Sequence, residues 1–195
     1  FGPHGSGKID DGVKVEEGGD MQFVPDERVS HGDIIDGGNW TVECVYTPGH
    51  TSNHVCYQLK EGRVLFTGDH VMGWSTSIVS PPDGDMEAYM NSLELLLKRD
   101  DEAYWPTHGP AITEPKEHVT AFIAHRRERE EQILKCVDEG VHIISEMVPK
   151  MYQGTPEFMY PAAARSVLAA VEYMIKRGVL VSDQDNLMEA RLNKN

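Results

Sequence analysis

Hydrophobic and polar residues alternate through the middle of the chain in a pattern that is typical of β-strands. Strict alternation over residues 40–46 predicts a half-buried strand. Apolar runs over 54–59 and 64–67 flank the turn-like segment 60–63, which predicts a hairpin. A further short strand is predicted over 103–105. These strands predict a sheet as one layer of the fold.

Apolar residues recur at helical spacing in four other segments. Asp85 can cap a helix over 86–99 that lies between two of the predicted strands. Beyond Pro115 the helical period continues over 116–139, 143–152 and 162–177, and the last helix leads into a strand over 179–181. Three helices followed by a strand are similar to a winged-helix module. We therefore predict an α/β domain over 1–115 and a helical winged-helix-like domain over 116–195.

Composition and charge narrow the function classes. The hydrophobic content of 39% is that of a globular protein, and no stretch reaches the roughly 18 apolar residues of a membrane span. The formal net charge is −14, of which −13 falls in residues 1–115 and −1 in residues 116–195. A strongly acidic surface repels nucleic acid, so any contact with a polyanion is expected on the second domain. Residues 1–20, rich in Gly, Asp and Glu, are expected to form a solvated loop.

The three cysteines indicate a reducing compartment. Cys44, Cys56 and Cys136 are odd in number and far apart along the chain. Cys44 and Cys56 lie within strand-like apolar runs, where a thiol behaves as a small hydrophobic side chain. We expect core cysteines in a cytoplasmic protein with no membrane contact.

Candidate chemistry is concentrated in three short segments, 47–51, 66–69 and 106–110, each at the end of a predicted strand or in the loop after it. They carry His50, Asp69 and His108 beside glycines, which allow tight turns that direct a neighbouring side chain into a cleft. Imidazoles and carboxylates suit zinc, iron or manganese, and one carboxylate can bridge two cations. The alternative is that each is an ordinary polar loop residue.

The order and spacing of these segments resemble the metallo-β-lactamase superfamily of metal-dependent hydrolases. The segment from Gly68 to Trp74, the run 81–85, and the arginine-containing run 125–134 are similar to its beta-lactamase-like protein 2 branch. The resemblance implies the second half of an αββα sandwich followed by the helical domain. In that family a His-x-His-x-Asp-His run lies upstream, and residues 1–46 do not contain it.

The resemblance also implies a role for each residue. His50 would complete a three-histidine site that begins upstream, catalytic Asp69 would bridge the two metal ions, and His108 would complete the second site. His54 would orient the ligands from behind, with simple burial as the alternative. The implied cofactor is two zinc ions in the intact parent, with one or none in this chain, and iron or manganese as alternatives.

The implied function is hydrolysis of an ester-type bond by metal-bound hydroxide, the bond being a phosphodiester, a thioester or a lactone. The expected partner is a small molecule or, as the branch implies, single-stranded RNA, and a homo-oligomer is allowed. One alternative is a glyoxalase-II-like thioester hydrolase. Another is a nucleic-acid-binding regulator that uses the second domain. Because a metal site needs more ligands than His50, Asp69 and His108, we expect this chain alone to be impaired as an enzyme.

The arginines of the first helix beyond Pro115 have two interpretations. Arg126, Arg127 and Arg129 form a cluster that could contact phosphate groups. They alternate with Glu128, Glu130 and Glu131, however, which favours a charged, solvent-facing helix surface.

Overall fold

A computed structural model describes residues 24–195, so the loop expected over 1–20 lies outside the described residues. The larger sheet has five strands in sequential order. Its strands are β1 Ile34–Asp36, β2 Thr41–Tyr46, β3 Val55–Leu59, β4 Val64–Gly68 and β5 Ala103–Pro106. The first four pair antiparallel, and β5 pairs parallel to β4.

The parallel pair needs a crossover connection, which α1 provides. The helices are α1 Met86–Leu97, α2 Pro115–Asp138, α3 Ile144–Met151 and α4 Tyr160–Lys176, with a 3₁₀ turn over Glu157–Met159. Asp85 caps α1, since its Oδ1 accepts a hydrogen bond from the Ala88 amide at 2.9 Å, as predicted. After α4 the chain forms a second, antiparallel sheet from β6 Leu180–Ser182 and β7 Leu192–Lys194.

Two hydrophobic cores share helix α2. The first core packs one face of the larger sheet, including Val45 and Leu65, against α1 and the first half of α2. The second packs α3, α4 and the smaller sheet against the last part of α2, from Ile133 onward. The predicted boundary between residues 115 and 116 coincides with the start of α2. Because α2 serves both cores, that boundary stays a prediction.

The other face of the larger sheet carries exposed aromatic side chains. Phe66 and Trp105 pair across β4 and β5, and their rings meet edge to face at 5.7 Å. Trp105 is 53% exposed and Phe66 38%. The described sheet is therefore covered by helices on one side only. None of the helices within residues 24–195 is long and apolar enough to cross a membrane.

Candidate metal centre

The sheet topology brings the three candidate segments to one edge. Strands β2 and β4 are both antiparallel to β3, and β5 is parallel to β4, so β2, β4 and β5 run in the same direction. Their carboxyl ends, after Tyr46, Gly68 and Pro106, therefore lie at the same edge of the sheet, with β3 between β2 and β4. His50, Asp69 and His108 occupy the loops that leave these ends. This edge is where ligand-binding groups gather in layered α/β folds.

The structure brings the three side chains together across Asp69. His50 Nε2 lies 3.9 Å from Asp69 Oδ2, and His108 Nε2 lies 3.6 Å from Asp69 Oδ1. Each histidine thus faces a different oxygen of one carboxylate. The convergence is observed, whereas the roles of these residues as metal ligands stay a prediction.

Two observations indicate that these three side chains can bind cations. His50 Nδ1 is 2.6 Å from the carbonyl oxygen of Ile78, which can only accept a hydrogen bond, so Nδ1 carries the proton and Nε2 presents a lone pair. Asp69 Oδ1 is buried and has no hydrogen-bond partner among the residues that the structure describes. A buried carboxylate oxygen without a partner is costly unless a cation binds it. The donor set is also chemically right for zinc, iron or manganese.

The described residues do not form a complete cage. Within residues 24–195, no three His, Cys, Asp or Glu side chains surround a point closely enough to hold one ion. This finding agrees with the geometry above, because His50 and His108 lie at opposite oxygens of Asp69 rather than around a common centre. The described part of the chain supplies one histidine and a shared carboxylate at each position.

His54 lies behind these groups, as the resemblance implies. Its Nδ1 is 2.9 Å from Thr47 Oγ1, and its ring meets His50 edge to face at 6.2 Å. Gly68, at φ +52°, leaves room for it, because a Cβ there would lie 2.7 Å from His54 Nε2. Burial first, and then His50, lowers the pKa of His54 to about 4, although Asp69 opposes the shift. A neutral His54 that supports the ligands stays a prediction.

A second buried histidine, His70, lies next to His54. The chain makes a turn here, because the His70 amide donates a hydrogen bond to the Thr67 carbonyl oxygen. Its ring is fully buried, 4.7 Å from the Tyr89 ring and 5.7 Å from His54. Burial lowers the pKa of His70 well below its usual range.

Trp74 lies beside His108, and the sequence offered no sign of this contact. The two rings are parallel within 3°, with their centroids 6.2 Å apart. Trp74 is held there because the Gly73 amide donates to the His108 carbonyl oxygen at 2.9 Å. Although it is 72% exposed, Trp74 covers one side of a candidate ligand.

The expected solvent-facing surface is wrong for one of the three arginines on α2. Arg126 is only 7% exposed, whereas Arg127 is exposed. Arg129 is half-buried and stacks over the Tyr152 ring. The alternation of Arg and Glu gave no signal for the burial of Arg126, because the segments that cover it come from residues about 40–50 positions earlier.

Two family models match the sequence. The model of the metallo-beta-lactamase superfamily matches residues 2–108, more than half of the chain. A beta-lactamase-associated winged-helix domain matches residues 144–188, which contain α3, α4 and β6. The predicted winged-helix module is therefore confirmed.

Individual relatives agree with both matches. A Drosophila melanogaster protein named beta-lactamase-like protein 2 homolog is 36% identical over 143 residues, covering 71% of this chain and 47% of the relative. An Aspergillus chevalieri protein named atrochrysone carboxyl ACP thioesterase is 30% identical over 138 residues, covering 64% and 44%. The crystal structure of a beta-lactamase domain protein from Burkholderia ambifaria shares the fold. Its TM-score is 0.76 at 20% identity, over 90% of this chain and 55% of that one. The chain thus spans about half the length of the relatives that it matches.

Proposed function

The chain belongs to the metallo-beta-lactamase superfamily, and we propose that it carries half of the catalytic centre of a metal-dependent hydrolase of ester-type bonds. The fold and the family support hydrolysis as the reaction class. The observation that carries the proposal is the arrangement of His50 and His108 at opposite oxygens of Asp69. The chain spans about half of the length of these relatives. Hydrolysis by the whole protein is therefore part of the proposal as well.

Each residue has a definite task in this proposal. His50 and His108 would each hold one cation through Nε2, and Asp69 would hold both through its two oxygens. Bound divalent cations, with zinc proposed first and iron or manganese as alternatives, would supply an activated water and polarise the scissile bond. The Ile78 carbonyl keeps the proton of His50 on Nδ1, and Trp74 lies parallel to the His108 ring.

The bond that is cleaved belongs to one of three classes: phosphodiester, thioester or lactone. The net charge of −14 disfavours a long polyanion such as single-stranded RNA, although the branch implies that substrate. Of the three classes, a thioester is supported by the Aspergillus relative, which is named as a thioesterase.

The alternative of a nucleic-acid-binding regulator receives less support. A recognition helix presents several basic side chains to a groove. At the end of α4, however, Lys176 pairs with Asp85 at 2.8 Å, and Arg177, directly after the helix, pairs with Glu130 at 2.8 Å. These basic groups are engaged by carboxylates of the first domain and of α2. We therefore propose that the second domain packs on the first and reads no DNA sequence.

The compartment and the assembly are also proposals. All three cysteines are buried and free, which supports a reducing compartment, and we propose the cytoplasm. The exposed aromatic face of the sheet supports a homo-oligomer of this chain as it stands.

The metal role can be tested with Co²⁺ in excess, because Co²⁺ binds similar ligands and absorbs visible light. We expect absorption bands that Asp69→Asn abolishes and that His50→Gln and His108→Gln each weaken. His142→Gln, in the second domain, is the matched control and should leave the bands unchanged. Equal bands for the wild-type chain and for Asp69→Asn would refute the site. In a longer chain that also contains a His-x-His-x-Asp-His run, three rates would then rank the bond classes: hydrolysis of bis(p-nitrophenyl) phosphate, of a p-nitrothiophenyl thioester, and of a simple lactone followed through the acid that its ring opening releases.

A further inference from the structure

Arg126 is a buried cation whose partners are not carboxylates. It lies in the middle of α2, between the residues that enter the first core and those that enter the second. Its Nη2 donates a hydrogen bond to the carbonyl oxygen of Ser77, and its guanidinium lies over the Tyr89 ring at 5.1 Å. No carboxylate within residues 24–195 forms an ion pair with it. A charge at such a position is costly, so its contacts need an explanation beyond packing.

The carbonyl that Arg126 holds is adjacent to the one that orients His50. Ser77 O accepts from Arg126, and the next carbonyl, Ile78 O, accepts from His50 Nδ1 at 2.6 Å. Ser77 is therefore bound to α2 through its carbonyl oxygen, and the next residue, Ile78, contacts the candidate ligand through its own carbonyl oxygen.

The start of the same loop is held by two further bonds. The Ser77 hydroxyl donates to the His70 carbonyl oxygen at 2.8 Å, and the Tyr89 hydroxyl donates to the same oxygen at 3.0 Å. His70 directly follows Asp69. Arg126, Ser77 and Tyr89 thus connect the loop after Asp69 to the segment that orients His50.

We propose that Arg126 is a positioning residue that sets the ring orientation and tautomer of His50 through the backbone of Ser77 and Ile78. Helix α2, and not only the sheet, then determines the geometry of the candidate centre. The importance of this for metal binding rests on the proposed function, whereas the effect on the His50 ring does not.

The test measures the tautomer of His50 directly, by nitrogen-15 NMR of the metal-free 195-residue chain at pH 8. In the wild-type chain we expect His50 to carry its proton on Nδ1. In Arg126→Met the Nε2–H form should rise from a minor to a major population. Methionine fills a similar volume and removes a buried charge that has no carboxylate partner among the described residues, so this variant should fold. Arg126→Gln, too short to reach Ser77 O in the same pose, is the second variant and should give the same change.

Two controls separate positioning from a general loss of structure. Arg127→Met changes the exposed neighbour and should leave the His50 tautomer as it is in the wild type. Arg126→Lys returns a donor to Ser77 O and should restore most of the Nδ1–H form. A folded Arg126→Met or Arg126→Gln chain with the wild-type tautomer would overturn the proposal.

Metal binding gives a separate outcome. If the proposed function also holds, Arg126→Met should weaken Co²⁺ binding by about tenfold, the low end of what the loss of an outer hydrogen-bond partner causes. A shifted tautomer in a chain that binds no Co²⁺ at all would support the positioning role of Arg126 and refute the metal site. The two failures are therefore distinguishable.

Discussion

Two neighbouring histidines, His54 and His70, are held without their charge behind the candidate centre. Burial lowers the pKa of His54 to about 4 and that of His70 well below its usual range. Within residues 24–195, neither ring nitrogen of His70 has a hydrogen-bond partner. In the unfolded chain both residues return to an ordinary pKa near 6.5, as the reference values give. Between about pH 4 and pH 6.5 these two histidines therefore bind more protons in the unfolded chain than in the folded chain.

The sign of the resulting pH dependence follows from this difference. A lowered pKa in the folded state gives stability that is complete above about pH 6.5 and is lost as the pH falls. We expect the free energy of unfolding to fall by roughly 1.4 kcal/mol per pH unit for each of the two histidines over this window. Urea titrations at pH 7.5, 6.0 and 5.0 would measure it. His54→Gln should remove about half of the histidine-dependent slope, whereas His142→Gln should keep it. An unchanged slope in His54→Gln would contradict the buried, neutral state.

Individual residues were predictable where their role depends on neighbours in sequence. His50, Asp69 and His108 follow strand ends, and a glycine lies next to each in the sequence, so their convergence could be expected before the sheet order was known. Arg126 and Trp74 were not predictable, because their environments come from segments far away in sequence. Arg126 belongs to an Arg–Glu run that usually faces solvent. Only the packing of α2 on α1 and the loop before it buries the guanidinium.

At the scale of elements, the first turn of α1 connects the two domains. Asp85 Oδ1 caps the helix through the Ala88 amide, and Asp85 Oδ2 accepts from Lys176 Nζ of α4 at 2.8 Å. The Lys176 hydrogen bond and the Ala88 amide lower the pKa of Asp85, although burial, the largest single influence, raises it. The Asp85 carboxylate thus caps the start of α1 and also joins α4 to the first domain.

Two substitutions separate these contributions. Asp85→Ala removes the cap and should destabilise the chain by about 1–2 kcal/mol. Asp85→Asn keeps an oxygen for the Ala88 amide and loses only the ion pair, which is half exposed, so it should cost less than about 1 kcal/mol. Urea unfolding of both variants at pH 7.5 gives the comparison. If Asp85→Asn were as destabilising as Asp85→Ala, the contact with α4 rather than the cap would dominate.

Elements with a recognisable apolar run or period were predicted, and two short strands without one were not. The strands β2 to β6 and all four helices correspond to predicted segments, with ends that differ by a few residues. Helix α4 begins at Tyr160, before the predicted start at 162, because Pro161 fits the first turn of a helix. β1 and β7 have three residues each, and β1 is fully exposed, so neither has an apolar period that could be recognised. Such strands are defined by their pairing partners.

At the scale of the molecule, helix α2 contributes residues to both hydrophobic cores and so connects them. Its first half packs with the sheet and α1, its second half with α3 and α4, and Arg126 lies between. The predicted domain boundary therefore marks where the helical region begins. It does not mark where contacts with the first core end, because the first half of α2 packs in that core. The family and the winged-helix module were predictable because their motifs are local. The sharing of α2 was not, since both halves of the helix show the same period.

The chain of 195 residues taken alone should bind zinc weakly and hydrolyse esters poorly. A catalytic zinc ion needs about three protein ligands, and a dinuclear site needs more. His50 and His108 lie at opposite oxygens of Asp69, and the part of the chain that the structure describes offers no complete cage. The remaining ligand positions would belong to water, and the ions would exchange readily.

Zinc per chain after extensive dialysis, measured by mass spectrometry, should therefore be well below one, although excess metal still binds. Hydrolysis of bis(p-nitrophenyl) phosphate should stay near the rate without protein. A longer chain that also contains a His-x-His-x-Asp-His run should retain zinc and hydrolyse the ester. Stoichiometric zinc and full turnover in the 195-residue chain would show instead that other residues complete the site, because two histidines and one shared carboxylate cannot hold two ions against dialysis.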